Sequence, residues 1–125
     1  MYLSVLKERF KESFERYYED GSLLSVYDQE KGIGLIYYPS GSLEGIVPIK
    51  DGLPDGLMKR FYEDGTLNWE SCIKKGRLEG PTREYDKDLD VHISKYFCNN
   101  EQIIFIAFDN KGRVIYSLSN NETLH

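Results

Sequence analysis

The sequence predicts a mainly β repeat fold, a series of stacked antiparallel hairpins entered by a short helix. Two observations carry this expectation. One phrase occurs three times, as Tyr17-Tyr18-Glu19-Asp20-Gly21-Ser22-Leu23, Tyr37-Tyr38-Pro39-Ser40-Gly41-Ser42-Leu43 and Phe61-Tyr62-Glu63-Asp64-Gly65-Thr66-Leu67. Its glycines recur after 20 and then 24 residues, and a second set, Gly32, Gly52 and Gly76, keeps the same intervals. Self-similarity at such a period marks an array built from one small supersecondary unit. A chain of 125 residues that is 40% hydrophobic and 30% charged is long enough for one folded domain and too apolar for a disordered one.

At the N-terminus, Leu3, Leu6, Phe10 and Phe14 recur at spacings of three and four with charges between them. That stripe predicts a helix from about Leu3 to Ser13; one more strand leading into Tyr17 is the alternative. Residues 1–13 are thus expected as a helical cap, 14–118 as the hairpin array, and 119–125 as a polar, flexible tail.

Within each phrase, alternating residues lead into the aromatic pair, and Gly supplies the positive φ that a tight turn needs. Adjacent aromatics alternate across a strand. Tyr17, Tyr37 and Phe61 should therefore form one row and Tyr18, Tyr38 and Tyr62 a second, one of the two on the buried side beside the leucines and the other on the exposed side. From about residue 85 the array is degenerate. Asp86-Lys87-Asp88-Leu89-Asp90 replaces the glycine turn, Val91 to Phe97 alternates as a strand, and Asn99-Asn100 marks a turn. Ile103 to Phe108 is a continuous apolar run, read as a strand buried on both faces or covered at the array's end. Asp109-Asn110-Lys111-Gly112 forms a last hairpin turn.

The residues offer little to catalysis. His92 is the only internal histidine, and neither Cys72 nor Cys98 forms a C-x-x-C pair or a recognisable zinc set with it. No metal and no cofactor is expected. Both cysteines read as reduced, which points to the cytoplasm, with a single disulfide as the alternative. Glu19-Asp20 and Glu63-Asp64 have the chemistry of acid–base pairs or calcium ligands, but Asp also braces turns, and that role accounts for them. Gly32-Ile33-Gly34 has no helix after it to receive a phosphate. The first residues hold too short an apolar run for a signal peptide, and no stretch is apolar enough for a membrane helix.

Net charge is −5 with a pI near 5.1, which argues against a nucleic-acid binder. Lys50, Lys74, Lys75 and Arg77 fall on connecting turns and would form a basic rim opposite the acidic turns. Such a rim either steers a partner or protects exposed edges. It also admits contact with anionic lipid, against which the net charge acts.

The run Gly-x-x-x-x-aromatic-Tyr-x-x-Gly-x-Leu, best seen from Gly56 to Leu67 and continuing through Gly76 and Gly80, resembles the MORN repeat in a variant form common in bacterial proteins. The resemblance spans roughly Phe14 to Tyr85, although the first unit has Lys11-Glu12-Ser13 where the leading glycine would stand. It implies an elongated, curved antiparallel meander that acts as scaffold or binding module. Some similar bacterial chains are labelled antitoxin components. Others carry a lipid-kinase label, but this chain lacks the phosphate loop and catalytic loop that a kinase requires. The expectation is a non-enzymatic module that binds a protein through a concave aromatic strip of Tyr18, Tyr38, Tyr62 and Trp69, plausible as an antitoxin or immunity-type neutraliser. A membrane-surface scaffold and an enzyme of unrecognised type are the alternatives. An open meander leaves two free edges, which admits an edge-strand homodimer.

Overall fold

A computed structural model describes residues 14–88 and 90–119. The expected helix over 3–13 and the tail after Ser119 lie outside the described residues. Within them every regular element is a strand. In chain order these are β1 Glu15–Tyr17, β2 Leu23–Asp28, β3 Ile33–Tyr37, β4 Leu43–Lys50, β5 Leu53–Pro54, β6 Gly56–Phe61, β7 Leu67–Lys74, β8 Arg77–Tyr85, β9 Val91–Cys98, β10 Glu101–Phe108 and β11 Val114–Ser119. Each strand pairs antiparallel with the next along one open meander, except that β4 pairs with both the two-residue β5 and β6. Among the described residues the sheet does not close, and β1 and β11 are its edges.

The phrase repeats as expected, because the turn chemistry is the same each time. Tyr18, Tyr38 and Tyr62 each donate their N–H to the carbonyl four residues on and accept from the turn glycine. Gly21, Gly41 and Gly65 have φ of 89°, 95° and 92°, a region open to Gly at no steric cost. Two further hairpins share this plan. Asp86 N–H donates to Asp90 O, and Asp109 N–H donates to Arg113 O. Tyr85-Asp86 and Phe108-Asp109 thus occupy the aromatic-Tyr position, with Asp as the second residue.

A bulge precedes every one of these turns. Pairing slips between Arg16 and Tyr17, Ile36 and Tyr37, Arg60 and Phe61, Glu84 and Tyr85, and Ala107 and Phe108. The extra residues on the returning strands are Leu24, Glu44, Asn68, His92 and Ile115. Each bulge shifts the alternation of the returning strand by one residue and leaves that of the strand leading into the aromatics intact.

Cross-strand partners share a face. One such line crosses the sheet from Ser25 through Ile36, Gly45, Arg60, Trp69, Glu84, Ile93 and Ala107 to Tyr116. The core lies on this face. Ile36, Val47, Ile49, Met58 and Ile73 are buried, with Tyr27, Trp69 and Leu78 packed against them. Leu57, between Gly56 and Met58 and so on the other face, is exposed. Fully burying one such side chain contributes about 1.5–3 kcal/mol, so this single apolar face is the main source of stability.

The meander puts alternate turns on opposite rims. The aromatic turns lie on one, the tyrosine rim; the turns after β2, β4, β7 and β9 lie on the other, the lysine rim. Backbone bonds stitch the lysine rim from one unit to the next. Ile49 N–H donates to Gly32 O at 2.7 Å, Gly76 N–H to Pro54 O at 2.7 Å, and Asn100 N–H to Leu78 O at 2.9 Å.

The apolar run at 103–108 departs from expectation. It is half-buried throughout and forms the penultimate strand rather than an edge. With the sheet open, β11 takes the edge instead.

Candidate functional site

On the tyrosine rim the second aromatic of each phrase reaches the following hairpin. The Tyr18 hydroxyl donates to Tyr37 O at 2.6 Å, Tyr38 to Phe61 O at 2.6 Å, and Tyr62 to Tyr85 O at 3.2 Å. Each accepting carbonyl belongs to the first aromatic of the next unit. The three rings are half-buried, and Tyr38 and Tyr62 follow Ile36 and Arg60 by two residues and so share the core face. Burial pushes the Tyr38 hydroxyl above its ordinary pKa, with Arg60 pulling the other way.

Trp69 sits on the core face between its cross-strand partners Arg60 and Glu84 and packs against the core cluster. Glu44, the bulge residue of its hairpin, is only 6% exposed and lies 3.8 Å from Arg60. The structure therefore brings Tyr38, Arg60, Glu44 and Trp69 into one neighbourhood. Tyr18 and Tyr62 occupy the equivalent places one unit to either side.

The turns that carry these tyrosines are acidic. Asp20 accepts from Ser22 N–H at 2.8 Å and Asp64 from Thr66 N–H at 2.9 Å. Asp86 accepts from Asp88 and Asp90, and Asp109 from Lys111 and Arg113. The side-chain hydrogen bond from Ser22 holds Asp20 below the ordinary aspartate range, as that from Thr66 does Asp64. Asp109 is lowered first by the backbone N–H of Arg113. All three stay charged well into acid. Glu19, Glu63, Asp88 and Asp90 stand exposed beside them. Two of the rim's cations are locally engaged: Lys87 lies 3.9 Å from Asp64, and Arg113 lies 2.8 Å from Asp109. Sequence reading found the first two of these acidic turns. It placed a hairpin turn at Asp109 to Gly112 and saw Asp86 to Asp90 replace the glycine turn, but did not join these two to the acidic set; their signal was the aromatic–Asp dipeptide at the repeat interval.

On the lysine rim, Lys74, Lys75 and Arg77 come together around one turn, with Glu79 and Asn99 lining the same groove. Lys50 stands on the neighbouring turn. Carboxylates interleave with these cations. Asp55 accepts from Lys75 N–H at 3.0 Å and Glu79 from Asn99 N–H at 2.7 Å. Arg77 is tied to Asn99 Oδ1 at 2.7 Å. The expected basic rim is thus a mixed one.

His92 is a bulge residue whose Nδ1 is buried and has no hydrogen-bond partner among the described residues. Cys72 and Cys98 are both free thiols. Among the described residues no group of three His, Cys, Asp or Glu is placed to hold a metal ion. No helix among them is long and apolar enough to cross a membrane.

Two stretches of the array, residues 30–51 and 54–72, match the family described as MORN repeat variant. The chain carries MORN repeats. The two matched stretches contain the hairpins of Tyr38 and Tyr62, and the flanking MORN-like hairpins reuse their turn geometry with weaker sequence agreement. No curated protein is similar in sequence. Among solved structures, a TarM variant of S. aureus in complex with fondaparinux, α-GlcNAc-glycerol and UDP is similar with a TM-score of 0.58 at 12% identity. That likeness covers 95% of this chain and 22% of the TarM variant. Another TarM structure gives 0.53 at 14% identity, over 94% of this chain and 23% of that one. At such identity the likeness is one of fold alone. The MORN chain spans about a fifth of the length of these structures.

Proposed function

We propose that the chain is a non-enzymatic MORN-repeat module that binds a basic protein partner along its tyrosine rim, in the manner of an antitoxin or immunity-type neutraliser. The observation that carries this reading is the alignment of four acidic turns on one rim, those of Asp20, Asp64, Asp86 and Asp109. Each Asp is fixed by backbone N–H groups and so costs little further ordering on binding. Fixed carboxylates in a row accelerate encounter with a cationic surface and mask it once bound. The half-buried rings of Tyr18, Tyr38 and Tyr62 at the base of those turns, with Trp69 on the core face, supply the aromatic contact that interfaces favour.

The test is affinity capture from the native host with the natural chain and with a Glu19→Lys, Glu63→Lys, Asp88→Lys variant. None of these three carboxylates caps a turn in the structure, so the variant keeps the fold. A basic protein retained by the natural chain, released by salt and lost by the variant supports the reading. Retention that is indifferent to both overturns it. Flotation with anionic vesicles in parallel identifies the other outcome. Lipid binding that is lost on changing Lys74, Lys75 and Arg77 to Glu would assign the chain to a membrane surface instead.

A further inference from the structure

The two edges of the sheet are unlike. β1 is three residues long and carries Glu15 and Arg16, with the Tyr17 hydroxyl bonded to Glu15. Short length and charge are devices by which edges resist pairing. β11 has neither. It is six residues of Val-Ile-Tyr-Ser-Leu-Ser, without a charge and without proline. Val114, Ile115, Tyr116 and Leu118 are 58%, 65%, 55% and 52% exposed. Its only charged neighbour in sequence among the described residues, Arg113, is held by Asp109 at 2.8 Å.

We propose that β11 is a self-association edge, where a second copy of this chain adds its own β11 antiparallel to form one continuous sheet. Three features select a second copy in that orientation. An uncharged strand meets itself without a like-charge pair in any register. β11 leaves the tyrosine rim and ends at the lysine rim. Antiparallel pairing therefore sets the acidic rim of one copy beside the mixed rim of the other, whereas parallel pairing would align the two acidic rims. And a β11–β11 pair closes as a two-fold dimer, whereas β11 against β1 would match six residues with three and propagate without closing.

The same pairing extends the core face. Phe105 and Ala107 on β10 stand opposite Leu118 and Tyr116 on β11, and the Phe105 and Tyr116 rings meet edge to face at 6.0 Å. A two-fold axis perpendicular to the sheet keeps each copy's face in register with the other. Tyr116 and Leu118 of both copies then join into one apolar patch. One strand per copy buries less than the ~1,200 Å² of a standard interface, so the dimer is weak and depends on concentration.

Sedimentation velocity with the full chain from about 1 μM to 1 mM, paired with amide hydrogen exchange at the two extremes, tests this. Average mass should rise from 14.6 kDa towards twice that value. Protection should grow with concentration at Val114–Ser119 and not at Glu15–Tyr17. An Ile115→Lys, Leu118→Lys variant should remain monomeric at ~1 mM, with an unchanged exchange pattern through β3 to β8. A monomer at every concentration overturns the proposal, including one whose β11 is protected by its own chain. So does added protection at β1, which would mean head-to-tail growth, or a dimer that survives both lysines. Because the acidic turns are untouched by these two substitutions, loss of the dimer leaves binding of a basic partner to be judged separately.

Discussion

The hydroxyl of Tyr38 donates to the backbone carbonyl of Phe61 at 2.6 Å, joining two hairpins that are 23 residues apart in sequence. Tyr18 makes the same bond to Tyr37 at 2.6 Å, and Tyr62 a longer one to Tyr85 at 3.2 Å. Phenylalanine at position 38 keeps the ring and removes the donor from a half-buried carbonyl. Tyr38→Phe should destabilise by about 1–2 kcal/mol, and Tyr62→Phe by less. Urea unfolding checks this, with a lowered midpoint and an unchanged m-value as the expected result.

The glycines are not equivalent. A Cβ on Gly32 would lie 2.9 Å from Ile49 O at a φ of +65°, whereas one on Gly41 at +95° would meet nothing within 4 Å. Both substitutions force an L-residue into an unfavourable region, at roughly 1–3 kcal/mol. Only Gly32→Ala also crowds the backbone between two units, next to the bond from Ile49 N–H to Gly32 O. Gly32→Ala should therefore be the more damaging by at least about 1 kcal/mol, the order of a lost backbone hydrogen bond. Thermal midpoints of the two variants decide the order.

Truncation should separate the two faces of β6. Met58 is 2% exposed within the core cluster and Leu57 is 44% exposed on the other face. Met58→Ala should cost about 2–5 kcal/mol, and Leu57→Ala less than about 1 kcal/mol. Chemical denaturation of both proteins measures the difference. Equal losses would mean that the second face is covered as well.

Acid should weaken the turns before it weakens the core. Asp20, Asp64 and Asp109 have folded-state pKa values lowered from 3.8, by the Ser22 and Thr66 side-chain bonds and the Arg113 backbone bond respectively. A depressed carboxylate contributes stability that is fully present above the unfolded value, and loses it as pH falls through the folded value. Stability from these groups should hold from neutral pH down to about 4 and then decline. In Asp64→Asn the decline below that pH should be shallower. Melting curves across pH 2 to 7 give the comparison.

The three glycine-marked hairpins were legible because Gly at a fixed place in the turn leaves few alternatives for the backbone. The fourth and fifth were only half legible. In the fourth, Asp86 binds the turn N–H groups of Asp88 and Asp90, so the array needs no glycine there. That Tyr18, Tyr38 and Tyr62 form a row was legible, but not that theirs is the row on the core face. A bulge at Leu24, Glu44 or Asn68 adds one residue to the returning strand without a mark in composition, so counting by twos does not tie the leucines to either aromatic row. The interleaving of Asp55 and Glu79 among the lysines likewise depends on which turns meet across the rim. Asp55 and Lys75 are 20 residues apart and become neighbours only through the β5 excursion.

The row of phenols stops at Tyr62. In the next hairpin Asp86 occupies the equivalent position, and a carboxylate cannot donate to the Phe108 carbonyl as a phenol would. The last two hairpins thus hang on strand pairing without that extra clasp. Heat or a pulling force should unzip the ribbon from its C-terminal margin inwards, leaving the Tyr18-to-Tyr85 stretch as the last part to come apart.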